Sequence, residues 1–169
     1  MRNALRVIQE VSDDFAKTFG RSYGLFEDYR LDDAEIVLVA LSSACGEIKE
    51  VVDQMRAKGE KVGLLKIRSF RPFPYAQIAQ ALSRASIVTV LDRSASFGAH
   101  GPVFTEINTA VYNYSGNRPL MLGHTFGLGG RELTLRHIEH IISESRICLD
   151  KGTVGNRQGL WVNVRGDKL

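Results

Sequence analysis

Cysteine is scarce in this chain of 169 residues: Cys45 and Cys148 stand alone, with no CxxC pair and no histidine spaced to complete a zinc site. That pattern fits a cytoplasmic protein with no metal cluster of its own. Long apolar runs are lacking too. The longest, "IVLVAL" at 36–41, is far short of the roughly 20 residues that span a bilayer. "MRNALRVIQEVSDD" lacks the continuous apolar core of a signal peptide, so neither export nor membrane insertion is expected. Basic clusters are missing as well: 22 Lys and Arg against 19 Asp and Glu leave a net charge of +3, spread along the chain, which gives nucleic-acid binding little support. No internal repeat and no low-complexity segment occurs. The four histidines, His100, His124, His137 and His140, form no metal signature and read as surface or hydrogen-bonded groups.

What remains is an ordinary globular composition, 44% hydrophobic and 24% charged, in a chain long enough for one domain with a sizeable core. Leu5, Ile8, Val11 and Phe15 recur at helical spacing, which predicts an amphipathic helix over 4–17. Four apolar segments of strand length follow: "IVLVAL" at 36–41, "VGLLKI" at 62–67, "IVTVL" at 87–91 and "PLMLGHTFG" at 119–127. The continuous apolar run at 36–41 is that of a strand covered on both faces, and the segment at 62–67 reads as a second buried strand. Between and after them, Ile48, Val51, Val52 and Met55, then Ile78, Ala79 and Leu82, then Val103, Phe104, Ile107 and Val111, then Leu135, Ile138 and Ile142 mark one-sided helices. This alternation predicts a three-layer α/β/α sandwich around a mainly parallel open sheet. The boundaries are read as a helix and linker over 1–30, the α/β domain over 31–150 and an extension over 151–169. In the extension, Leu160, Val162 and Val164 alternate like an edge strand or extended arm.

Ligands of open α/β sheets bind beyond the carboxyl ends of the strands, and two glycine turns lie there. In "DRSASFGAHG", Asp92 and Arg93 follow the third strand, while Gly98 and Gly101 would let backbone approach a phosphate at a helix start. Their spacing matches neither GxGxxG nor GxxxxGK[ST], so a structural turn or subunit contact is the stronger expectation. "GLGGRE" at 127–132 reads as a turn needing positive φ, with Arg131 at the surface. In "RSFRPFP", Arg68 and Arg71 flank Phe70, and two prolines stiffen the segment; a basic aromatic protrusion for a protein partner and a loop completing the core fit equally. Cys45, at the start of a helix, reads as an inert small residue rather than an activated thiolate.

Taken together, "GRSYGLFEDYRLDDAEIVLVALSS", "VVDQMRAKGEKVGLLKIRSFRPFP", "VLDRSASFGAHGPVFTEI" and "GLGGREL" resemble the alpha subunit of pyruvate:ferredoxin oxidoreductase (pyruvate synthase) and its 2-oxoacid relatives. The likeness is to the C-terminal part of that subunit, a domain similar to the transketolase C-terminal domain. It implies an enzyme that decarboxylates a 2-oxoacid on thiamine diphosphate, passes electrons through iron–sulfur clusters to ferredoxin, and forms an acyl-coenzyme A. The diphosphate-binding GDG signature is missing, and a cubane cluster needs four cysteines. Thiamine diphosphate, magnesium and the clusters are therefore expected elsewhere in the complete enzyme, with the thiamine-lining part of the subunit N-terminal to this chain. The resemblance implies a non-catalytic assembly domain whose partners are the other domains and subunits, with a homodimer as a further arrangement. The polar interface candidates are Arg68, Arg71, Asp92, Arg93 and Arg131, with Gly98 and Gly101 in the turn. The competing reading is an independent nucleotide- or coenzyme A-binding module that uses the glycine turns. A hydrolase or transferase acting alone is disfavoured by the absence of GxSxG and of a nucleophile–base pair.

Overall fold

The computed structural model describes residues 2–156 and 159–165. Helix α1 (Arg2–Phe19) is followed by strand β1 (Phe26–Tyr29), β2 (Ile36–Leu41), α2 (Ala44–Ala57), β3 (Val62–Ile67), α3 (Tyr75–Ala81), β4 (Ile87–Asp92), α4 (Pro102–Tyr114), β5 (Leu120–Thr125), a 3₁₀ turn (Leu128–Gly130), α5 (Leu135–Lys151) and β6 (Leu160–Trp161). The strands form one sheet in the order β1-β3-β2-β4-β5-β6. All pairings are parallel except β1 with β3. The chain leaves β2 for β3 on one side and returns as β4 on the other. Neighbouring β2 and β4 therefore bracket the switch point where open α/β sheets form a crevice.

Alternate residues of the buried strands feed two cores. Ile36, Leu38 and Ala40 face the layer made by α2 and α5, whereas Val37 and Val39 face α3 and α4. This two-sided burial explains why β2, β3 and β4 are apolar over most of their length rather than alternating. Thr89 interrupts the pattern on β4, but its hydroxyl meets the Ser145 hydroxyl at 2.7 Å, so a buried polar pair ties α5 to the sheet.

The flanks reach further into the fold than boundaries at 30 and 150 place them. Residues 26–29 form the antiparallel edge strand β1, whose Glu27 pairs with Lys49 and Arg68. In the extension, β6 pairs with β5 over two residues and Val162 is buried in the core. The strand expected from Leu160, Val162 and Val164 is thus present but shorter; residues 166–169 of that tail lie outside the described residues. Helix α2 begins at Ala44, so Cys45 lies within its first turn.

Candidate assembly surface

The turn after β4 is closed on itself. Pro102 opens α4 and has no N–H to satisfy, and Gly101 at the N-cap has no side chain to act as a cap. Asp92, the last residue of β4, takes that role: one carboxylate oxygen accepts the Val103 N–H at 3.0 Å and the other the Phe104 N–H at 2.8 Å. A negative charge there also complements the helix dipole. Burial pushes the Asp92 carboxyl up, and the two amides oppose that shift. The fit requires glycine at 101, because a Cβ would stand 2.3 Å from Asp92 Cγ and Oδ2.

This geometry corrects the reading of Asp92 as an interface group. Asp92 is 2% exposed and occupied by backbone amides, so it has almost no surface to give a partner. The α4 N-terminus is filled by a carboxylate from the same chain, which leaves no room there for the disfavoured phosphate. Gly101 is buried and forms part of this joint, whereas Gly98 is exposed with positive φ.

The second glycine turn closes in another way. Thr134 caps α5 by accepting the His137 N–H, and His137 Nδ1 accepts the Thr134 N–H at 3.1 Å. The 3₁₀ turn before it begins from Gly127, whose φ of 71° suits glycine. Gly127 also packs against Arg93, since a Cβ there would lie 3.0 Å from Arg93 Nε.

Between these closed turns lies an open one. A cavity of about 540 Å³ occupies the switch-point crevice, lined by Ser42 and Ser43 between β2 and α2, Arg93 after β4, and Arg131 and Glu132 before α5. Ser42 has a left-handed φ of 63°, unusual for a residue with a side chain. Ser43 makes no side-chain cap to α2. The structure therefore brings Arg93 and Arg131, expected separately from two different turns, onto one cleft.

Arg68 and Arg71 lie elsewhere. Arg68 pairs with Glu27 and donates to the Tyr23 carbonyl; the hydrogen bond from Lys49 holds the Glu27 carboxyl below its usual range. Arg71 lies over the Phe70 ring and pairs with Glu106 at 2.6 Å. Phe73 is buried and Phe70 packs half-buried against the same core, so "RSFRPFP" completes the core rather than protruding from it.

His124 and Cys45 complete the inventory. His124, on β5, is 3% exposed and its Nδ1 has no hydrogen-bond partner. It is thus neither a surface histidine nor one paired at that atom. Burial pushes it down to about 4. Its place in the strand register beside Leu91 was not singled out by spacing. Burial also pushes the Cys45 thiol up to about 11, opposite to an activated nucleophile. Both cysteines are buried in one core, and two thiols cannot supply a four-cysteine cluster. Among the described residues no group of three or more His, Cys, Asp or Glu is placed to hold a metal ion, and no helix is long and apolar enough to cross a membrane.

A mainly parallel six-stranded sheet with helices on both faces, crossing over between β2 and β4, defines an open-sheet α/β domain. Residues 34–138 match the family model described as pyruvate:ferredoxin oxidoreductase core domain II, and the chain belongs to that family. Among curated relatives, the pyruvate synthase subunit PorA of Methanosarcina barkeri is 45% identical over 154 residues, covering 90% of this chain and 38% of that protein. PorA of Pyrococcus abyssi is 38% identical over 169 residues, covering 100% of this chain and 42% of that protein. The chain thus spans about two fifths of the length of these relatives. Among solved structures, a 2-oxoglutarate:ferredoxin oxidoreductase from Magnetococcus marinus aligns with a TM-score of 0.53 at 16% identity, covering 80% of this chain and 21% of that one. That likeness speaks for the fold.

Proposed function

We propose that this chain is a non-catalytic assembly domain of the alpha subunit of a thiamine diphosphate-dependent pyruvate or other 2-oxoacid:ferredoxin oxidoreductase. The complete enzyme oxidatively decarboxylates the 2-oxoacid, reduces ferredoxin and forms acyl-coenzyme A. Thiamine diphosphate with magnesium and the iron–sulfur clusters belong to its other parts, and its setting is cytoplasmic. The observation that carries this reading is the family match over 34–138, joined to an α4 N-terminus already filled by Asp92 of the same chain.

The contact surface in this reading is the switch-point cleft, through Arg93 and Arg131, with the exposed Gly98 turn beside it. Arg68 and Arg71 contribute from the β3 end with their carboxylate partners already in place. Truncating one partner of a desolvated interfacial charge pair costs on the order of 2–5 kcal/mol. The purified chain is expected to co-elute with the other portions of the oxidoreductase, and Arg93→Ala with Arg131→Ala is expected to weaken that complex. Co-elution unchanged by the double substitution removes the cleft from the interface. A coenzyme A- or adenine nucleotide-induced rise in melting temperature, without co-elution, favours the independent binding module; a ligand at a hundred times its Kd adds about 2.7 kcal/mol.

A further inference from the structure

Helix α1 carries an apolar stripe that the rest of the chain covers only in part: Leu5, Ile8 and Phe15 are half-buried, while Val11 and Phe19 are exposed. Leu5, Ile8, Val11, Phe15 and Phe19 recur along one face, a spacing that elsewhere in this fold turns a helix toward the core. Here none of them enters either hydrophobic core. Val11 is 61% exposed and Phe19 59%. The stripe runs along a helix of 18 residues, about 27 Å at 1.5 Å per residue.

The helix is held to the domain by a polar pin at its middle. Ser12 is buried, and its hydroxyl accepts the Tyr23 N–H at 3.1 Å and the Gly24 N–H at 2.8 Å. Around the pin the Phe15 ring meets Phe19 at 4.4 Å and Tyr23 at 5.6 Å, which gathers aromatic surface at one end and leaves Phe19 and Tyr23 exposed. The opposite face is already satisfied: Arg6 pairs with Glu10, Gln9 with Asp13 and Lys17 with Asp14. Its acidic groups also make it a poor match for an anionic lipid surface, which favours Lys- and Arg-rich polar faces.

Two findings bear on what covers the stripe. The domain family model begins at residue 34, beyond α1, yet the Pyrococcus abyssi alignment takes in all 169 residues while spanning only 42% of that subunit. The helix is therefore shared with the long subunit although it lies outside the domain model. We propose that the apolar stripe of α1 docks into an apolar groove on the part of an alpha-type chain that these 169 residues do not contain. The inference rests on the assembly reading above and assigns it a second contact, on the flank of the domain remote from the cores.

The test co-expresses this chain with a polypeptide supplying the remainder of the alpha-type subunit, followed by affinity capture and mass determination. Val11→Glu with Phe19→Glu places charge on the two most exposed positions of the stripe. Val11→Ile with Phe19→Leu is the conservative companion, Asp14→Asn the polar-face control, and far-UV circular dichroism reports whether the helix persists. The proposal expects a one-to-one complex with the unaltered chain, the conservative pair and the control, and at least a tenfold loss of affinity with the glutamate pair at unchanged helicity. If the glutamate pair loses helicity along with binding, single Val11→Ser and Phe19→Ser variants decide, and full binding by both overturns the proposal. A complex indifferent to the glutamate pair overturns the α1 contact and leaves the assembly reading standing. No complex with any version overturns both. A dimer of this chain alone, abolished by the glutamate pair, identifies a second copy as the occupant and overturns the partner proposed here.

Discussion

The turn after β4 and the junction after β2 lie side by side at the carboxyl ends of neighbouring parallel strands, and each leads to a helix, yet they differ in what they leave free. After β4, Asp92 fills the helix N-terminus and a glycine yields space for it. After β2, Ser43 does not cap its helix and a cavity opens over the junction. Position at a strand end thus creates the opportunity for a site, and capping from a residue distant in sequence decides whether it remains available. In the turn richest in polar residues and glycine, Asp92 and Gly101 are spent on the fold, and Arg93 joins the plainer "LSS" junction at the free cleft.

The comparison breaks hardest at Gly101. Gly101→Ala forces its Cβ against Asp92 and is expected to cost about 3 kcal/mol, from overpacking plus loss of the cap. Gly46→Ala, in the first turn of α2 where a Cβ meets nothing within 4 Å, is expected to be neutral or to stabilise by up to about 1 kcal/mol. Urea unfolding of the two variants checks the contrast.

His124 extends the comparison to the next strand, where a buried polar group has no partner at Nδ1. Its folded value of about 4 lies below the ordinary 6.5, so between those values the unfolded chain binds the extra proton. Stability from this group is complete above pH 6.5 and declines as pH falls toward 4, by up to about 3 kcal/mol. His124→Gln removes the titration. Unfolding curves for the two proteins across pH 4–7 should therefore differ in slope.

Asp92→Ala removes the cap and exposes two buried amides, an expected loss of about 2 kcal/mol. Asp92→Asn keeps one acceptor and drops a charge whose burial is unfavourable, so its loss is expected to be less than half as large. Equal losses would mean that the charge, rather than the geometry of the acceptors, holds the turn. The smallest effect on folding belongs to the open cleft. Arg93→Ala and Arg131→Ala are exposed changes expected to stay within about 0.5 kcal/mol, so any loss of assembly they cause is a loss of contact rather than of fold.

The same contrast explains what the sequence made legible. The parallel strands were readable because burial on both faces gives "IVLVAL" and "VGLLKI" no polar alternation. β1 was not, because "FEDY" is a half-buried edge strand with acidic residues that resemble a turn. The role of Asp92 was hidden because its amide partners lie eleven and twelve residues onward. A helix opening with Gly-Pro and lacking a cap of its own was the available clue. Arg93 and Arg131 were each singled out, but only the closeness of two turns in space could unite them. His124 stayed unremarkable because burial, rather than spacing, makes it unusual.

The most direct measurement mixes the purified chain with the other portions of the oxidoreductase and follows 2-oxoacid-dependent, coenzyme A-dependent reduction of an electron acceptor. The assembly account predicts that the chain alone is inactive, that its addition restores the rate, and that the Arg93→Ala, Arg131→Ala protein restores it poorly while folding normally. Turnover by the isolated chain, or a rate among the other portions that its addition leaves unchanged, would contradict the account.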